Sequence, residues 1–177
     1  MYLFKTKHII CITGFLIMSL FSQAQSNANV NRIYTEWQTS NCGINEDKAL
    51  IKLLLENVSN LEPLLLNGFQ EGPPAEYLEN TTQSELNRMR LNQKLVSEQK
   101  IETGLTKEDL QILTETSPDA ARVQIKKSII NGWRTRALTG LSYLNTDTSK
   151  KLLNALAEDQ KSPFNGLAKS LLSQNED

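Results

Sequence analysis

An all-α fold, arranged as an irregular array of helix pairs, is what the sequence predicts. Every strong hydrophobic periodicity along the 177 residues is helical, and no alternating apolar-polar run is long enough to make a useful strand. The gaps between periodic stretches also carry the caps and stops that helices use. The same elements could pack as an irregular helical bundle, which is the alternative arrangement.

The elements follow in order. Val30, Ile33, Tyr34 and Trp37 fall at i, i+3, i+4 and i+7, one apolar stripe on a short first helix that "TSNCG" breaks. Asn45 can cap a second helix, with Glu46 and Asp47 in its first turn and Leu50, Leu53, Leu54 and Val58 on its buried side. Ile51 and Leu55 widen that face, so this helix is expected to be covered on more than one side. Asn60 begins a third helix with Pro63 in its first turn, where a missing amide is tolerated. Leu61, Leu64, Leu65 and Phe69 are its core side, and Gly68 allows a neighbour to come close.

"GFQEGPPAEYLE" then reads as a corner. Gly72 suits a left-handed position after the helix, Pro73 stops it, and Pro74 suits the first position of the next, with Glu76 near that helix's positive end. A phosphate cradle would need successive free amides, and two prolines delete two of them. The fourth helix is expected to run from Pro74 to about Glu102, with Tyr77, Leu78, Leu86, Met89, Val96 and Ile101 facing inward and a polar middle. Gly104 ends it. Thr106 and Asp109 make a capping box, flanked by Leu105 and Leu110 as a staple, for a short helix ending near Thr116. Ser117, Pro118 and Asp119 form the next start, and Val123, Ile125, Ile129 and Ile130 follow it. Asn131 and Gly132 interrupt or weaken this helix, and Trp133, Ala137, Leu141 and Leu144 continue its spacing up to "NTDTS". Leu152, Leu153 and Leu156 mark one more helix, and Leu167, Ala168, Leu171 and Leu172 the last, after Pro163.

At the front of the chain, Lys5, Lys7 and His8 precede an uncharged apolar run of 13 residues, Ile9 to Phe21, and then "SQAQS". This is the pattern of a secretory signal peptide, too short to span a bilayer as a helix, with Ser22 and Ala24 as the small residues before cleavage. Residues 1–24 are therefore expected to be removed, leaving a short N-terminal helix and loop over 25–44 and a single all-α domain over 45–177. An uncleaved anchor is the rival reading. Either way the remainder lies outside the cytoplasm, periplasmic or secreted, and no membrane insertion follows cleavage.

Loss of Lys5 and Lys7 takes the basic count from 19 to 17 against 20 acidic residues, with both signs interspersed. No basic patch points to nucleic acid. The leader also holds the single histidine, His8, and one of the two cysteines, Cys11, so the mature chain keeps only Cys42. Ser-His-Asp and Cys-His catalysis, and zinc sites built on His or several Cys, lack their residue types. A carboxylate pair remains conceivable, from Glu71, Glu76, Glu79, Glu108, Asp109, Glu158 or Asp159, although each also reads as a solvated charge near a helix end. Tyr34, Tyr77 and Tyr143 read as packed rings with their hydroxyls at the surface. Cys42, in a turn-rich setting, is the candidate for an intermolecular disulfide linking a homodimer.

The segment "WRTRALTGLSYLNTDTSKKLLNALAEDQKSPFNGLAKSLL", residues 133–172, resembles HEAT-like repeats. In that family an aromatic or apolar residue plus Arg opens a helix with small residues at its packing positions, and a second helix pairs with it. Trp133 and Phe164 stand 31 residues apart, and Ala137 and Ala168 share that offset. Asn165 departs from the pattern, where such repeats often have Arg, and the period fades upstream. The resemblance implies a short α-solenoid that binds other proteins without catalysis. The expected function is thus an exported, non-enzymatic interaction or scaffold module with no cofactor and a protein partner. Trp133, Arg134 and Arg136 are the candidate partner-binding residues. A small-ligand-binding protein or a carboxylate-dependent hydrolase of the cell envelope is the alternative.

Overall fold

The computed structural model describes residues 28–40, 48–98 and 117–174, and all of its regular structure is helical over those residues. Helix α1 covers 28–39. Helices α2 (Lys48–Glu56), α3 (Val58–Glu71), α4 (Ala75–Ser97), α5 (Pro118–Leu144), α6 (Asp147–Glu158) and α7 (Asn165–Ser173) follow. Helix α5 is the axis of the fold, since α2, α3, α4, α6 and α7 all pack on it. The side chains explain why. From Ala137 to Ser142 every residue is buried, so α5 is surrounded there instead of lying on a surface. Its small residues let neighbours approach: a Cβ at Gly140 would lie 2.8 Å from Trp37 Nε1 and 3.0 Å from both Leu65 methyls. Leu54, Leu61, Leu65, Leu138, Leu141 and Leu153 are almost fully shielded, each contributing roughly 1.5–3 kcal/mol by leaving water. Buried hydroxyls are satisfied locally, Thr139 on the Thr135 carbonyl at 2.9 Å and Thr82 on that of Leu78 at 2.6 Å.

Several local expectations hold in this packing. Val30, Ile33 and Trp37 are buried on α1, and Leu50 and Leu54 on α2. Ser117 caps α5, its hydroxyl accepting from the Ala120 amide at 3.2 Å, with Pro118 as first helical residue. Gly72 has φ 85° and donates its amide to the Gly68 carbonyl, so the corner ends α3 as expected. Helix α5 runs unbroken through Asn131 and Gly132, so that pair only weakens it. Asn145, left-handed at φ 52°, ends α5, and Thr146 caps α6 by accepting from the Ser149 amide at 3.1 Å.

Other details differ. The break before α3 falls at Asn57, not at Asn60, because the Asn57 side-chain amide donates to the Leu53 carbonyl at 2.9 Å and ends α2 there. Pro63 therefore lies inside α3 and not in its first turn; the carbonyl of Ser59 loses its helical donor, and both residues are exposed, so water can replace it. Pro74 is the N-cap of α4 and not its first residue. Helix α4 ends at Ser97, short of Glu102. Leu55 is 50 % exposed, so that side of the widened α2 face is left open among the described residues. Val123 is 69 % exposed: the inward line of α5 runs Ala121, Ile125, Ile129, Trp133, and Val123 is two residues off it. The leader, Cys42, Asn45, Ile101, the Thr106–Asp109 box, Glu108 and the short helix ending near Thr116 lie outside the described residues.

Candidate functional site

Where the end of α1 meets the first turns of α4 and the middle of α5, a notch of about 150 Å³ opens. Helix periodicity builds it. Ile129, Gly132, Trp133 and Arg136 follow i, i+3, i+4, i+7 on one face of α5, while Tyr77 and Thr81 stand one turn apart on α4. Gln38 and Thr39, from the last turn of α1, complete the lining. Trp133 is the wedge. Its ring meets Tyr77 on one side, centroids 4.9 Å apart, and the edge of Tyr34 on the other at 6.1 Å and 79°.

A polar knot lies beside this wedge. The Tyr34 hydroxyl is seated against Gly68, where any Cβ would overlap it, and Gln38 Nε2 and Trp133 Nε1 stand 3.2 Å from that same Cβ position. Burial pushes the Tyr34 hydroxyl above its ordinary 10.0, and the facing Trp133 and Gln38 donors offset part of that. The expectation of a surface hydroxyl at Tyr34 is corrected here: it points into the α1–α3 contact because Gly68 leaves room for it. Both donors crowd one oxygen, yet neither reaches hydrogen-bonding geometry. Gln38 is only 3 % exposed, and among the described residues neither of its amide atoms nor the indole nitrogen of Trp133 has a hydrogen-bond partner.

The three residues expected to bind a partner do not form one patch. Trp133 is buried and Arg136 joins it at the notch, but Arg134 turns away, donating Nη2 to the Gln70 carbonyl at the end of α3 at 3.1 Å. Positions two apart on a helix point some 200° apart, so Arg134 and Arg136 could not share a face. Arg136 Nη1 donates to Ser40 Oγ at 3.0 Å and, more weakly, to the Trp37 carbonyl at 3.4 Å. In return Trp37 Nε1 donates to the Arg136 carbonyl at 2.8 Å. Each arginine thus places positive charge at the carbonyl end of a neighbouring helix, where the dipole favours it.

Glu79 pairs with Arg122, and with Lys126 at 2.9 Å; the Lys126 bond, with both nearby cations, holds its carboxyl below the usual range. Glu71, Glu76, Glu158 and Asp159 are exposed, and Asp159 accepts the Lys161 amide at 2.9 Å in a turn. Among the described residues, no group of three His, Cys, Asp or Glu side chains is placed to hold a metal ion. Gln38 and Thr81 had no place in the sequence reading. Gln38 continues the stripe of Tyr34 by one turn, and Thr81 that of Tyr77, the only sequence signal either carries. No known protein family, curated protein or solved structure matches the chain.

Proposed function

We propose that this protein is an exported, non-catalytic binding module that recognises a protein partner through its helical surface, with the α1–α4–α5 notch as the recognition point. The observation that carries this is the notch itself: aromatic walls, one arginine, and a buried Gln38 amide with no hydrogen bond of full geometry among the described residues. Such a meeting of apolar walls and a few placed polar groups is how binding sites are built. The resemblance of residues 133–172 to HEAT-like repeats supports a protein partner, and the leader-like N-terminus supports export. A second reading, a binder of small molecules, is favoured by one observation, the size of the notch.

The test compares tagged wild-type protein with Thr81→Trp, which would fill the notch from α4. Both are recovered from the envelope or medium of the producing cells and examined by native mass spectrometry. A protein partner present with wild type and lost with the variant supports the module. A bound small molecule lost in the same way transfers the role to the second reading. A partner retained by a folded variant removes the notch from the proposal.

A further inference from the structure

We infer that the notch takes a carboxylate carried on a flat or apolar group no larger than a single aromatic ring. This rests on the notch being the recognition point. Among the described residues of the lining, Arg136 is the single cation and none is acidic. Its Nη1 is held by Ser40 and the Trp37 carbonyl, which fixes the guanidinium, while its remaining donors bond no other group among the described residues. A guanidinium held on one side offers its other N–H groups to the two oxygens of a carboxylate.

Two neutral groups complete the set. The Thr81 hydroxyl makes no hydrogen bond among the described residues, so it can donate to the same oxygens. The Gln38 amide makes no hydrogen bond of full geometry among the described residues, so turning Nε2 toward a ligand gives up only its loose contact with the Tyr34 hydroxyl. Thr39 differs, because its hydroxyl already donates to the Thr35 carbonyl at 2.8 Å.

Charge and size select within the anions. The notch adjoins the last turn of α1, whose dipole is negative there, and the first turn of α4, whose end is positive, and among the described residues its lining holds one cation. A singly charged carboxylate fits that balance, whereas phosphate would bring more charge than one arginine offsets. Glu79, on α4 near Tyr77, is paired with Arg122 and Lys126, so neither those cations nor that carboxylate adds unbalanced charge. Trp133, Tyr77 and Ile129 supply faces for an apolar body, and about 150 Å³ is the scale of a benzene-sized cavity.

The test is an NMR titration of the full mature chain with benzoate, isosteric neutral benzamide and inorganic phosphate, following the Trp133 indole N–H and the Gln38 side-chain amide. Benzoate is expected to shift both signals saturably, with benzamide and phosphate weaker by roughly tenfold or more. Arg136→Gln should remove the preference for benzoate over benzamide. If that variant unfolds, Thr81→Val, which breaks no hydrogen bond among the described residues, should still weaken benzoate several-fold and weaken benzamide less. Equal binding of benzoate and benzamide, phosphate preferred to benzoate, or no shift at either signal overturns the carboxylate assignment. Loss of a protein partner in Thr81→Trp would then leave the recognition point standing, which separates the two failures. The source of the carboxylate is read from a short peptide ending in Phe. Tighter binding than benzoate, abolished by C-terminal amidation, identifies a chain end, and weaker binding identifies a free acid.

Discussion

Replacing Gly68 by alanine should destabilise the protein, against the general trend for glycine within a helix. Alanine is favoured over glycine in a helix interior by about 1 kcal/mol, so an unobstructed site would gain stability. At Gly68 the new methyl would overlap the Tyr34 hydroxyl and stand 3.2 Å from Gln38 Nε2 and Trp133 Nε1. The hydroxyl ends a rigid ring whose neighbour is buried Trp133, so relief requires α1 and α3 to move apart. Overpacking of this kind costs about 1–3 kcal/mol, and more when backbone must shift. With backbone movement required, the cost lies toward the upper end of that range, so the balance is a loss of roughly 1–2 kcal/mol, or about 2–8 °C in melting temperature for a domain of this size. Thermal and urea unfolding of the wild type, Gly68→Ala, Tyr34→Phe and the double variant form the assay. Because Tyr34→Phe removes the overlapped oxygen, Gly68→Ala should cost at least about 1 kcal/mol less in that background. Additive effects, or a Gly68→Ala variant as stable as wild type, would refute the claim that the hydroxyl occupies this space.

Gly132→Ala provides the contrast: its Cβ would meet nothing within 4 Å, so the variant should unfold about 0.5–1 kcal/mol later in a denaturant titration. Ala137 and Ala168 are both fully shielded, so enlarging either to Leu should cost about 1–3 kcal/mol, and unchanged melting of both variants would contradict the packing. The raised Tyr34 hydroxyl predicts a pH effect. The folded state holds this proton more tightly than the unfolded chain, so its stabilisation is complete below pH 10.0 and is lost as pH rises beyond that through the folded value. Unfolding followed from pH 9 upward should therefore show wild type losing stability relative to Tyr34→Phe, and parallel curves would contradict the burial. Export predicts an intact mass beginning near Gln25 for protein recovered outside the cytoplasm, and a species retaining Met1 there would refute cleavage.

What the sequence discloses about this fold is what short stretches of chain decide. The start of α5 was legible because Ser117, Pro118 and Asp119 act within one turn, and the corner at Gly72 because its φ of 85° is a local demand. Gly68 was legible as a close approach, although the partner, the Tyr34 hydroxyl, was not. The errors arise where distant elements decide. Pro63 is a local exception, misplaced because the Asn57 bond to Leu53 ends α2 early, whereas which residues of α5 face inward, with Val123 left exposed, is set by the packing of α4. The notch joins residues 38, 81 and 136 from three helices, with Thr81 and Gln38 lacking any motif of their own. The separation of Arg134 from Arg136 was implicit in their spacing, but the carbonyls at Gln70 and Trp37 that hold them emerge only from the packing.

The central claim, that the notch is where this protein meets its partner, is tested most directly by photo-crosslinking from single positions in the producing cells. A crosslinker replaces Ser84, an exposed residue one turn along α4 from Thr81 that leaves the notch open, or, in a separate strain, Lys150, an exposed residue of α6 far from it in sequence. The account predicts one discrete covalent adduct from position 84, competed by excess untagged wild-type protein, and none from position 150. The same adduct from both positions, or an adduct from position 150 alone, would contradict it.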